Sequence, residues 1–200
     1  MPRPAQYDRD TALQKAVALF WEKGYHASSM KQIEHALDMR PGSLYATFRN
    51  KDGLFSEALA TYAARGGQEL AEHMDGYELI VDGLQDYLRR VAQSCTSEKI
   101  PSRACMIVKT LLESTGSKPE LARQAEAILQ AVEASFTELL EQAKNHGELQ
   151  QDTDCPALAR LLQAQMMGLR AMAERDLNDT ALLRLGEDMA RILEPYKCRH

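Results

Sequence analysis

The sequence has no apolar run approaching the roughly 20 residues that a membrane-spanning helix needs. Glycine and proline are scarce, 11 and 7 in 200 residues. That scarcity argues against disorder and against an architecture of short strands and turns. Only four cysteines occur, Cys95, Cys105, Cys155 and Cys198, with no CxxC pair and no Cys/His cluster. Their spacing gives no zinc site, and in a reducing compartment free thiols are the expectation. HExxH, GxSxG, the phosphate-binding loop and GxGxxG are all missing. The five histidines, His26, His35, His73, His146 and His200, are scattered and have no obvious acid or nucleophile partner. No catalytic residue, metal or cofactor is therefore expected, and the chain does not read as an enzyme. The opening MPRPAQYDRD is polar and lacks the apolar stretch of a signal peptide, so a cytoplasmic, membrane-free protein is expected.

What is present is ordinary globular composition, 44% hydrophobic and 26% charged. Net charge is −5, yet it is unevenly spread. Residues 1–55 hold 8 Lys/Arg against 6 Asp/Glu, while the remainder holds 16 against 23. Nucleic-acid binding needs a local positive face rather than a basic protein, so this bias is compatible with it.

Apolar residues recur at helical spacing almost throughout. Leu13, Ala16, Val17, Phe20 and Trp21 mark a first helix over residues 9–24, capped by Asp8 or Asp10 and ended by Gly24. The large apolar side chains Phe20 and Trp21 read as core. Ser29 and Gln32 have capping-box spacing, and Met30, Ile33, Ala36 and Leu37 give the helix that follows an apolar face. The chain turns at Asp38, a residue type that tolerates left-handed backbone. Pro41 suits the first turn of the next helix, whose stripe is Leu44, Tyr45 and Phe48. Two short helices around a tight turn are the helix-turn-helix plan.

A longer helix opens at Lys51 and Asp52, and Gly66-Gly67 reads either as its end or as a hinge. Further stripes follow at residues 76–95, 103–114, 121–144, 154–172 and 182–193, separated by CTSEKIPSR, TGSKPE and Gly147. Asp154 caps the fourth of these, with Pro156 in its first turn, and the last stops before Pro195. About nine helices, no strand and no repeat are expected: an all-α chain.

Helix-turn-helix geometry puts the first residues of the second helix against base edges in the major groove. Those residues are Arg40, Pro41, Gly42 and Ser43. Arg40 is the candidate for a bidentate guanine contact, and Gly42 permits close backbone approach. Ser28, Ser29, Tyr45, Thr47 and Lys51 are candidates for phosphate contacts, which position without specifying. Ser29 has capping as a second reading, and Arg40 has plain solvation.

The run I-x-x-A-x-x-M-x-x-G-S-L-Y-x-x-F-x-x-K over residues 33–51, with F-x-x-x-G-Y over residues 20–25, resembles the DNA-binding signature of the TetR/AcrR transcriptional regulators. The resemblance covers roughly the first 55 residues. Glu34, Asp38 and the Ala46-Thr47 pair stand where the family usually has Ala, Gly and Tyr-His. It implies a three-helix head over residues 1–50 and a ligand-sensing, dimerising helical body over residues 51–200. It also implies double-stranded operator DNA as partner, a small-molecule inducer, and a homodimer formed through the last two long helices. Tyr45 and Lys51 match family positions that touch the DNA backbone.

The pocket is less legible. Tyr77, Tyr87, Met106, Phe136, Met166, Met167 and Met172 read as an adaptable apolar cavity or as plain core. PSRACMIVKTLLE, residues 101–113, is similar to the branch of the N-ethylmaleimide-responsive repressor, whose members carry a cysteine at the start of this helix. Cys105 is thereby a candidate electrophile or redox sensor, activated by Arg103 and a helix N-terminus, or an inert buried thiol. A helical regulator without thiol chemistry, and a helical protein that binds no DNA, remain the alternatives.

Overall fold

A computed structural model describes residues 5–198, with side chains from Arg9 onward. Among the described residues there are nine α-helices and one terminal 3-10 turn. They are α1 (Ala5–Lys23), α2 (Met30–Leu37), α3 (Pro41–Phe48), α4 (Lys51–Met74) and α5 (Ile80–Ser94). Then come α6 (Met106–Ser114), α7 (Pro119–Asn145), α8 (Cys155–Ala173) and α9 (Asp179–Ala190). An isolated bridge between Leu149 and Lys197 is the extended pairing the structure shows. The all-α expectation holds. Among the described residues no helix is long and apolar enough to cross a membrane.

Packing groups Met1–Arg65 with Cys105–Ile128, and Gly66–Ala104 with Leu129–His200. In the first unit Phe20, Ile33, Leu44, Phe48, Leu54 and Phe55 are fully buried. Phe55 meets the rings of Phe20 and Tyr25 edge-on, at 4.7 and 5.2 Å between centroids. Trp21 is partly exposed and lies edge-on to Tyr62. In the second unit α5 and α9 pack so closely that a Cβ on Gly186 would lie 2.3 Å from that of Ala92. Leu84, Leu88, Phe136, Leu140, Leu158 and Leu182 fill the core around them.

Several helix limits differ from those the periodicity predicts. α1 begins at Ala5, so Asp10 lies inside it and caps nothing; Asp8 is also within the helix, its side chain outside those described. α5 begins at Ile80 rather than near Gly76, because its first N–H groups find a distant acceptor. Leu79 offers no side-chain cap; instead Glu148 accepts from the N–H of Ile80 at 3.1 Å and of Val81 at 2.8 Å. α6 starts at Met106, three residues after the predicted start. The last α-helix ends at Ala190, and Pro195 lies inside the 3-10 turn Arg191–Tyr196 rather than beyond the final helix.

α4 continues unbroken through Gly66 and Gly67 to Met74, which removes the reading that it ends there. A Cβ at either glycine meets nothing within 4 Å. Glycine inside a helix costs about 0.5–1 kcal/mol relative to alanine. Gly66→Ala and Gly67→Ala should therefore each stabilise the protein by that amount. Thermal unfolding checks it: an unchanged or lower Tm for both would show that the glycines relieve a strain the helix hides.

Candidate nucleic-acid interface

The head is built from caps and turns. Ser29 accepts from the N–H of Gln32 at 3.3 Å, and the Gln32 side chain accepts from the Ser29 N–H at 2.8 Å. This is the capping box read from the sequence. Asp38 ends α2 with φ 54°, in the left-handed region, and its backbone N–H reaches the carbonyls of Glu34 and His35. Pro41 occupies the first turn of α3. Ile33, Leu37, Leu44 and Phe48 turn inward, which fixes the opposite face of α3 outward.

That outward face carries Arg40, Pro41, Gly42, Ser43 and Tyr45, all exposed, Tyr45 at 48%. Arg40 is the N-cap residue and makes no side-chain cap bond. A Cβ on Gly42 would touch nothing in this chain. Thr47 donates its hydroxyl to the Ser43 carbonyl at 2.8 Å. Ala46, where the family carries an aromatic residue, is also exposed.

One candidate is corrected. Ser28 is 0% exposed, and its hydroxyl donates to the Gly24 carbonyl at 2.7 Å. It closes the turn after α1 and offers nothing to a phosphate. The alternation of Ser28 and Ser29 between inside and outside follows from Ser29 being the cap and Ser28 lying behind it.

Between α3 and α4 the chain makes a γ-turn centred on Arg49, with φ 65° and the Asn50 N–H on the Phe48 carbonyl at 2.7 Å. Asn50 then caps α4, accepting from the Gly53 N–H at 2.8 Å. A Cβ on Gly53 would sit 2.5 Å from the Phe48 carbonyl oxygen, so only glycine fits beneath this turn.

Lys51 is not simply solvated. Its ammonium lies 4.2 Å from the centre of the Tyr25 ring, and Lys118 approaches the same ring at 5.2 Å. Burial pulls the Lys51 ammonium below its ordinary pKa, with the Lys118 charge acting in the same direction against Asp52. Tyr25 donates its hydroxyl to Asp52, and Lys118 donates to both Asp52 oxygens at 3.1 and 2.9 Å. Those bonds, from Tyr25 first and then Lys118, hold the Asp52 carboxyl below the usual range. Burial, then the Asp52 bond, pushes the Tyr25 phenol up. No periodicity signals this cluster, because Lys118 comes from the α6–α7 turn.

α6 reaches the same unit through the end of α1. Lys109 donates to the carbonyls of Trp21 at 2.8 Å and Glu22 at 3.0 Å, a cation at a helix C-terminus. Glu113 accepts from the Tyr25 N–H at 3.1 Å and lies against Gly24, whose φ is 78°. Cys105 is the N-cap residue of α6, partly exposed, with its carbonyl on the Lys109 N–H at 3.0 Å. The Arg103 guanidinium, read as activating it, donates to the Ala173 carbonyl at 3.3 Å.

The residues read as a pocket are divided between the two units. Met106 is buried in the first unit, and Phe136 in the core of the second. Tyr87 and Met166 pack against that second core, and Met167 and Met172 are half-buried. Tyr77 is exposed beside His73, 4.9 Å between rings. Tyr87 does line a cleft of about 410 Å³ in the second unit, in company the apolar pattern does not show: Glu69, Glu72, His73, Arg90 and Arg170.

A capped, inward-packed helix pair that turns a basic, glycine-bearing helix start to solvent defines a helix-turn-helix DNA-binding protein. Residues 12–58 match the family model of bacterial regulatory proteins, tetR family, and residues 81–187 match the tetracyclin repressor-like C-terminal domain. The chain belongs to the TetR family and is a DNA-binding transcriptional regulator, not an enzyme. It is 27% identical to the HTH-type transcriptional repressor ComR of Escherichia coli (strain K12), over 95% of this chain and 90% of that one. It is 33% identical to a cysteine mutant of the TetR family regulator CifR, solved in complex with 26-bp double-strand operator DNA. That match has a TM-score of 0.85 and covers 94% of this chain and 98% of the other. Reduced Escherichia coli NemR shares the fold at 18% identity, with a TM-score of 0.81 over 96% and 98% of the two chains.

Proposed function

We propose that this protein is a cytoplasmic, homodimeric repressor that binds a palindromic operator and leaves it when a small molecule binds or Cys105 is modified. The carrying observation is the exposed face of α3 from Arg40 to Tyr45, held outward by buried Leu44 and Phe48. CifR's operator complex supports the DNA partner. In this reading residues 1–50 form the head, with Arg40, Pro41, Gly42 and Ser43 toward bases. Ser29, Tyr45, Thr47 and Lys51 face the phosphates, and residues 51–200 sense and dimerise. Two symmetric heads read half-sites about 34–36 Å apart, which is why a dimer is required. Leu161 on α8 and Leu183 on α9 are 38% and 47% exposed, which supports those helices as the interface. A footprint on the DNA upstream of its own gene tests the whole: a protected inverted repeat is expected, and a monomer indifferent to palindromes defeats it.

Release is a population shift, and any inducer must bind the two states with different affinity. Cys105 begins the helix whose other residues hold the end of α1, so an adduct there would bear on the head. Cys95 and Cys155 are buried, leaving Cys105 and Cys198 as the partly exposed thiols. N-ethylmaleimide should release operator from wild type and from Cys198→Ser, and should fail to release it from Cys105→Ser. Equal release in all three would remove Cys105 and leave a regulator that responds by ligand binding alone.

A further inference from the structure

We propose that the cleft between α4, α5 and α8 in the second unit binds a small organic acid that also carries a hydrogen-bond-donating group, a hydroxy acid or an amino acid. Arg90 and Arg170 would hold its carboxylate, and Glu69 and Glu72 would receive its donor. This deepens, and rests on, the ligand-responsive reading above.

The cleft's volume, about 410 Å³, falls within the roughly 300–1,000 Å³ of small-molecule sites. Its chemistry is polar. His73 is only 6% exposed. One ring nitrogen, Nε2, lies 2.9 Å from the Gly83 carbonyl oxygen and must donate to it. The other, Nδ1, lies 2.9 Å from Arg90 Nη1, and a guanidinium can only donate. Nδ1 is thereby the accepting nitrogen, and the ring serves as a fixed acceptor for Arg90. It ties one N–H of Arg90 and orients the rest of a planar, five-donor group at the cleft. Arg170 is tethered likewise, Nη1 to the Arg103 carbonyl at 3.5 Å. Its charge is felt locally: burial pushes the nearby Cys95 thiol up, and Arg170 is the leading influence in the opposite direction.

Two oriented guanidiniums are suited to a planar carboxylate, through short charge-assisted pairs. Holding them beforehand reduces what binding must order. Glu69 and Glu72, one turn apart on α4, would repel a second negative end and accept from an ammonium or hydroxyl. Tyr87 and Val91 add an apolar wall, the Tyr87 ring standing 5.5 Å from His73 and 6.3 Å from Phe136. The lining holds two arginines, two glutamates and a histidine and no methionine, so the methionine-lined cavity suggested by the sequence does not describe this cleft.

The test uses the full chain without DNA, by thermal unfolding and calorimetry. The probes are lactate, salicylate, L-valine and L-phenylalanine, with benzamide as the neutral control. At least one acid should raise Tm and bind ten-fold or more tighter than benzamide. Hydroxy acids alone, or amino acids alone, identify the donor. Arg90→Met and Arg170→Met should each weaken that acid about ten- to hundred-fold, as expected for a lost charge-assisted contact. Arg90→Lys, which keeps a cation beside His73, should bind more tightly than Arg90→Met and guards against misfolding of the latter. Should no acid shift wild type, should benzamide bind as well, or should both methionine variants bind as wild type does, the proposal is overturned. Operator binding is measured separately: loss of it with acid binding intact sinks the regulatory reading alone.

Discussion

Gly186→Ala should destabilise the protein by about 3 kcal/mol, at the upper end of what overpacking a core costs. The added methyl would lie 2.3 Å from the Cβ of Ala92, where unstrained carbons sit about 3.5–4.0 Å apart. Neither atom can rotate away, because each is fixed to its own helix. α5 and α9 must separate, and their separation opens the core around Leu88 and Leu182. For a chain of this length, Tm should fall by about 6–12 °C. Ala92→Gly with Gly186→Ala should recover part of the loss, since the methyl is then merely moved across. A single variant as stable as wild type would show that the helices are not in such close contact.

Arg40→Ala should weaken operator binding by about ten- to hundred-fold, the range for one bidentate base contact. It should leave the free protein alone. Arg40 makes no side-chain cap bond and is exposed, so its removal should change stability by no more than about 0.5 kcal/mol. Base contact and phosphate contact give different signatures. If Arg40 reads a guanine, the variant also stops discriminating at one base pair of each half-site. If it binds a phosphate, affinity falls for all sequences alike and the salt dependence becomes shallower. Electrophoretic mobility shifts across a salt series, on operator and on point-mutated operators, separate the two. Unchanged affinity throughout would remove Arg40 from the interface.

The head was legible because its signals are local. A capping box spans four residues, Ser29 to Gln32, and a left-handed stop needs only Asp38. Pro41 announces its own helix start, and Gly24 and Gly147, with φ of 78° each, end theirs. Each can be read without knowing where the rest of the chain goes. What escaped the sequence depends on partners far away. The start of α5 is set by Glu148, and the environment of Lys51 by Lys118, a residue the pattern assigns only to a loop. Ser28 and Ser29 are adjacent serines, and nothing local shows that one is sealed inside. The methionines and aromatics were visible as apolar positions, but apolar spacing does not say which unit they pack into. The charged residues of the cleft lie on α4, α5 and α8, on faces whose convergence only the tertiary fold reveals.

Gly42 and Gly53 stand eleven positions apart and, under the proposed function, answer to different parties. Beneath Gly53 lies the chain's own carbonyl, so a side chain there is a fault of manufacture, evident in purified protein before any duplex is added. Around Gly42 the protein itself imposes nothing, so under the proposed function any limit on a larger residue there arrives with the nucleic acid. A saturation library scored once for abundance and once for promoter occupancy would therefore draw the outline of the DNA on the protein, as the positions that pass the first sieve and fail the second.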